Sequence, residues 1–288
     1  MTVRKLGGAT IEKVEEICGA GFKPARMFPK FNQEAFDAQK GWMVPEHVEP
    51  GSDRLVGSVH TWVVKTGRHT ILIDTCLGNH KDRHNPGWNK LNTPFLERLQ
   101  ACGCHPDSVD FVMCTHLHVD HVGWNTRLEN GRWVPTFPKA KYVFAERELA
   151  HWTKKHEEDP ANHPWITDSV LPIVAARRTE IVKSNHALND LVQLIPTPGH
   201  TIDHFSVHVG KSGQDAVITG DMIHSPIQAR YPELGMRVDY DSKQAGVSRR
   251  ELFGRFCDTP TLFCMAHFPS PSTGRMTRWD NGFKFISS

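Results

Sequence analysis

The chain lacks four things, and each absence narrows what it can be. It has no surplus of either charge: 34 Lys and Arg face 32 Asp and Glu, a net +2 with the histidines neutral. That balance gives no electrostatic case for binding nucleic acid or an anionic membrane. Its seven cysteines are odd in number and include no Cys-x-x-Cys pair, so neither a disulfide framework nor a structural zinc knot is expected. No apolar run is long enough to span a bilayer, and Met1 to Gly8 carries no signal-peptide core, so the expected location is a reducing cytoplasm. No repeat or low-complexity linker divides the 288 residues, and a content of 39% hydrophobic residues can fill a sizeable core. The expectation is one domain over 1–288.

What the chain does have is histidine, 18 of them, and one stretch concentrates them. After the apolar run Val109 to Met113 come His116, His118, Asp120 and His121, four metal-ligand types within six residues at the end of a predicted strand. His116 and His118 project to one side while the chain is extended; Asp120 and His121 require it to turn. Two clusters pointing at two adjacent points suit two metal ions. Packing alone gives no reason to gather three imidazoles and a carboxylate.

Strand-like runs alternate with helical stripes along the chain. Strands are expected at Thr10 to Ile17 (closed by Gly19-Ala20-Gly21), Val59 to Lys65, Thr70 to Asp74 and Lys141 to Ala145. Later ones follow at Asp190 to Ile195, Phe205 to Val209, Ala216 to Thr219 and Leu262 to Ala266, with an edge strand from Trp279 to Ile286. Helices are expected at Pro94 to Ala101, Glu146 to Lys155, Thr167 to Arg178 and Ser248 to Cys257. The stretch 22–58 shows no sustained period and reads as an irregular excursion: a lid, a dimer-forming arm or simple packing. Strands in both halves with helices between them predict an α+β fold of two mixed sheets, helices outside.

Three more candidate ligands directly follow strand-like runs: His200, Asp221 and His267. Asp74 also ends a strand, where a carboxylate can orient a ligand histidine from behind, and Thr115, beside His116, is placed to do the same. Trp124 and Asn125 follow the ligand cluster so closely that their loop is expected to border the metals and touch substrate.

With these residues in view, the sequence resembles the metallo-β-lactamase fold superfamily. His116, His118, Asp120 and His121 meet its His-x-His-x-Asp-His signature, and Gly199-His200, Gly220-Asp221 and the late His267 follow in its order. The resemblance implies a four-layer αββα sandwich with the metals at the sheet edge. It places His116, His118 and His200 on one ion and Asp120, His121 and His267 on the other, with Asp221 bridging. An imidazole and carboxylate set without thiolate suits two Zn2+ per chain and leaves iron, manganese or cobalt open.

Such a pair of ions lowers the pKa of a shared water toward neutrality, so a hydrolase needs no Ser or Cys nucleophile. Asp120 then binds and orients, with a general-base role secondary. The acyl-homoserine-lactone lactonases resemble the chain in ligand set but carry a tyrosine where His224 stands. The segment Gly220 to Gln228 looks more like the methyl parathion hydrolase branch, which makes His224 a candidate to bind the acceptor oxygen or protonate the leaving group. The expected activity is hydrolysis of a small lactone, carboxylic ester or organophosphate triester, with a small-molecule substrate and either a monomer or a homodimer. The alternatives are a mononuclear iron oxygenase of sulfur compounds and a non-catalytic metal-binding protein of the same fold.

Overall fold

The computed structural model describes residues 2–211 and 213–288. Among the described residues, two seven-stranded sheets and a two-stranded ribbon hold the strands. The first sheet runs, edge to edge, Arg4–Leu6, Ala9–Phe22, Leu55–Thr66, Thr70–Ile73, Phe111–Met113, Lys141–Ala145 and Thr179–Val182. The second runs Ala187–Asn189, Val192–Pro196, Phe205–Lys211, Gln214–Ile218, Leu262–Cys264, Thr273–Trp279 and Gly282–Ser287. Both are mixed, for Thr70–Ile73 pairs parallel with Phe111–Met113, and Gln214–Ile218 parallel with Leu262–Cys264. The fold class is α+β, as the alternation of strands and helical stripes predicts.

The chain forms two compact units, one holding Val59–His186 with the residues up to Ile17, the other Cys18–Ser58 with Ala187–Ser288. The first has its own core, in which Val63, Leu72, Val112 and Phe144 from the sheet meet Phe95 and Leu99 from the helix Phe95–Ala101. The second packs Phe253 and Phe256 of the helix Ser242–Phe256 against Phe263, Phe283 and Phe285.

Several expectations are corrected. The strand Ala9–Phe22 continues through Gly19-Ala20-Gly21 instead of stopping there, because its neighbours in the sheet supply the ladder that glycine propensity alone would not. The stretch 22–58 is not irregular: it holds the helices Pro24–Met27 and Gln33–Met43, the second capped by the Asn32 side chain on the Ala35 N–H. Phe28, Phe36, Met43 and Val48 are buried around Ile227 in a separate small core of the second unit. The helix expected at Thr167 to Arg178 is a π-turn, Ile166–Val170, running into Leu171–Ala175. The expected edge strand from Trp279 is a hairpin turning at Asp280 and Asn281, and its outer arm Gly282–Ser287 is the sheet edge. The final helix begins six residues earlier than Ser248, at Ser242, capped by Asp241.

Candidate metal centre

In the first unit, the strand Phe111–Met113 delivers Cys114 to His121 into a tight loop at its end. Gly123 makes the turn out of that loop. A Cβ there would stand 1.9 Å from the Leu77 carbonyl carbon, so only glycine lets the two segments approach. His116 and His121 are buried, with ring centroids 4.1 Å apart. His116 Nε2 and His118 Nδ1 face each other at 3.0 Å, close to the edge of about 3.3 Å that two nitrogens make on one tetrahedral Zn2+. Asp120 Oδ1 lies 3.7 Å from His121 Nε2.

Behind these rings stands Asp74, itself in the left-handed region at φ 59°. Its Oδ2 takes His121 Nδ1 at 2.9 Å, and its Oδ1 accepts the Thr115 N–H at 2.7 Å. The Thr115 hydroxyl contacts Asp74 at 2.9 Å and His116 Nδ1 at 3.1 Å. Asp74 and Thr115 thus fix the outer nitrogens of two rings and with them the direction in which each Nε2 points.

In the second unit, His200 follows Gly199, whose φ of +130° and close approach to Ala245 N demand glycine. Asp221 sits in a short turn after Gln214–Ile218, and His267 follows Leu262–Cys264. The Asp221 carboxylate is the hub: Oδ1 lies 2.8 Å from His267 Nε2, while Oδ2 lies 3.4 Å from His200 Nε2 and 3.0 Å from His224 Nε2. His267 Nδ1 is held by the Ser58 carbonyl at 3.0 Å, and His200 Nδ1 by Asp239 at 2.9 Å. Asp221, His224 and His267 form a group of donor atoms close enough to hold an ion.

The electrostatics of this half favour positive charge. Burial pushes the His200 imidazole down, but Asp221 and Asp239 outweigh it and hold it up at about 9. Burial also works to raise the Asp239 carboxyl, yet the His200 contact keeps it below the usual carboxylate range. His224 is lowered by burial in spite of Asp221. Its Nδ1 is buried without a hydrogen-bond partner. Two carboxylates that draw a proton onto a buried imidazole form a donor set suited to a divalent cation, so these residues fit a metal.

The residues 54–267 match the family model of the metallo-beta-lactamase superfamily. The chain belongs to that superfamily. Among curated relatives it is 27% identical over 174 residues to the lactamase-like protein nscB of Trichophyton rubrum, a match that covers 60% of this chain and 41% of nscB. The chain therefore spans less than half of that relative's length. Among solved structures it superposes on AbOPH, a hydrolase of the beta-lactamase superfamily, with TM-score 0.80 and 23% identity over 100% of this chain and 99% of the other. It superposes on AidC, a dizinc quorum-quenching lactonase, with TM-score 0.79 and 20% identity over 100% and 97%. These two likenesses speak for the superfamily's fold.

Trp124 and Asn125, expected to border the metals and touch substrate, are both buried, with their side chains engaged by other partners. The 3-10 turn Gly123–Asn125 rolls Trp124 inward, where it stacks on Phe95 at 5.4 Å and donates to Glu16 at 2.6 Å. Asn125 is wholly buried, its amide oxygen accepting from Thr75 and its carbonyl from the Tyr142 hydroxyl. Asp239 and His204 escaped the sequence reading. His204 Nε2 accepts the Asp221 N–H at 2.9 Å, and its Nδ1 contacts Thr197. Neither belongs to a motif, and Asp239 lies 39 positions from the ring it holds. Also missed is an aromatic cluster beside His118, in which Trp152 meets that ring at 5.2 Å and packs with His163 and Trp165.

Proposed function

We propose that the chain is a dinuclear, zinc-dependent hydrolase of a small lactone, carboxylic ester or organophosphate triester. His116, His118 and His200 hold one ion, Asp120, His121 and His267 the other, and Asp221 bridges, following the order of the superfamily's motifs. The observation that carries this reading is the Asp221 carboxylate, one oxygen facing His267 and the other facing His200. A carboxylate that only capped a turn would have no reason to turn both oxygens to separate imidazoles whose outer nitrogens are already tied. Divalent ions at such a site supply a hydroxide near neutral pH and polarise the acceptor oxygen.

The chain's own residues complete the chemistry. Asp74, Thr115, Asp239 and the Ser58 carbonyl orient the ligand rings, and His204 orients Asp221 through its backbone. His224 offers one nitrogen to Asp221 and keeps Nδ1 without a partner, so it can take or pass a proton at the leaving group. That AidC is a dizinc lactonase supports the lactone branch of the reading. The test is a panel of lactones, aryl esters and phosphotriesters assayed with zinc, manganese or cobalt supplied. Metal-dependent turnover of one class is expected; no turnover of any class with any metal would refute the proposal.

A further inference from the structure

Leu117 stands between two ligand histidines, and both of its backbone polar groups are held by buried or half-buried side chains. Its N–H donates to Glu148 Oε1 at 3.1 Å, and its carbonyl accepts the Trp165 indole N–H at 2.8 Å. The N–H belongs to the peptide linking His116 to Leu117, the carbonyl to the peptide linking Leu117 to His118. The two contacts therefore fix both peptide planes between the ligands, and with them the directions in which the two imidazoles leave the chain.

The partners of Leu117 are themselves anchored. Glu148, only 1% exposed on the helix Glu146–Glu158, accepts the Trp152 indole N–H on the same Oε1 at 2.7 Å. Trp152 in turn packs its ring on His118 and on Trp165. Trp165 directly precedes the π-turn Ile166–Val170. Asp168 of that turn is gripped by Arg83 through two bonds, at 2.7 and 2.9 Å, and by buried Lys81 at 3.3 Å. The turn that follows Trp165 is thus pinned at Asp168, three residues beyond the indole that reaches the Leu117 carbonyl.

We propose that Glu148 and Trp165 are positioning residues for metal binding, clamping Leu117 so that His116 Nε2 and His118 Nδ1 converge on one ion before it arrives. This rests on the reading of the cluster as a metal site. Ligands must be held within about 0.5 Å of productive geometry, and a 3.0 Å gap between two imidazole nitrogens is open to closing into a hydrogen bond or splaying apart unless the backbone between them is fixed.

The test uses Glu148→Leu, which keeps most of the bulk and loses the acceptor of the Leu117 N–H, and Trp165→Phe, which keeps a ring and loses the donor. Zinc affinity of the metal-free full chain is measured by competition with a chromophoric chelator, alongside its melting temperature without metal and the absorption spectrum of the cobalt(II) form. Each variant is expected to bind zinc about 10-fold more weakly, with an altered cobalt spectrum and a loss of affinity larger than the drop in metal-free melting temperature accounts for. Wild-type affinity and spectrum in both variants would overturn the clamp while leaving the metal site intact. Affinity that falls only in step with the metal-free melting temperature would overturn it too, since a merely structural role predicts that. Failure of the unmodified chain to take up zinc would sink the metal site, and the clamp with it.

Discussion

Asp239→Asn tests how much of the metal affinity is built from behind the ligands. The Asp239 side chain is fully buried; Oδ1 takes His200 Nδ1 at 2.9 Å and Oδ2 accepts the Met236 N–H at 2.7 Å. Asparagine offers one oxygen to these two donors and must turn its own NH2 toward the other. One buried contact becomes donor against donor, a loss of about 1–3 kcal/mol. If the oxygen stays with Met236, the His200 ring loses its anchor and the carboxylate that makes it a stronger donor. Loss of such a support weakens metal affinity by about 10- to 100-fold, or ~1.4–2.8 kcal/mol. The assay is zinc competition against a chelator at neutral pH, with thermal melts of the metal-free chain run in parallel. Zinc affinity within about twofold of the unmodified chain would refute the reasoning, because it would show that His200 needs no carboxylate behind it to bind.

Other consequences are open to direct measurement. Trp124→Phe keeps the stack on Phe95 but removes the donor to buried Glu16, so stability should fall by about 1.5–3 kcal/mol while the ranking of substrates stays unchanged; a change in substrate preference at constant stability would return Trp124 to the pocket wall. His224→Ala should lower turnover with both metals retained, and loss of a metal equivalent would make His224 a ligand together with Asp221 and His267. His47 is buried against Phe268 and Phe285, and burial holds its imidazole at about 4 against an ordinary 6.5, with Glu46 opposing. The unfolded chain therefore takes up this proton first, so stability declines as pH falls from about 6.5 toward about 4, by up to ~3 kcal/mol. Denaturant melts of His47→Phe across that range should show a shallower decline, and a curve parallel to that of the unmodified chain would contradict the assignment.

The candidate ligands were legible because their chemistry is local: three imidazoles and a carboxylate within six residues have no packing explanation, and His200, Asp221 and His267 each follow a strand. Asp74 and Thr115 were legible for the same reason, one ending a strand and the other touching the motif. Asp239 and His204 were not, since only the folded backbone brings them to His200 and Asp221. Trp124 shows the opposite difficulty. Nearness along the chain was read as exposure to substrate, whereas the 3-10 turn Gly123–Asn125 is buried throughout and its indole is held by Phe95 and Glu16. The helix Gln33–Met43 carried a readable signal, the Asn32 cap with Phe36, Gln39 and Met43 on one buried face, which surrounding prolines and aromatics obscured. The Gly19-Ala20-Gly21 error has another cause: strand continuation there is set by pairing, which no local pattern records.

Metal content is the direct measure of the proposed two ions per chain in a His and Asp site. Purified chain, stripped and reloaded with zinc, is analysed by elemental mass spectrometry beside Asp221→Asn. Two zinc equivalents are expected for the unmodified chain, with a loss of occupancy when the Asp221 carboxylate is neutralised. One equivalent of iron, no retained metal, or two zinc equivalents in both proteins would overturn the two-ion site.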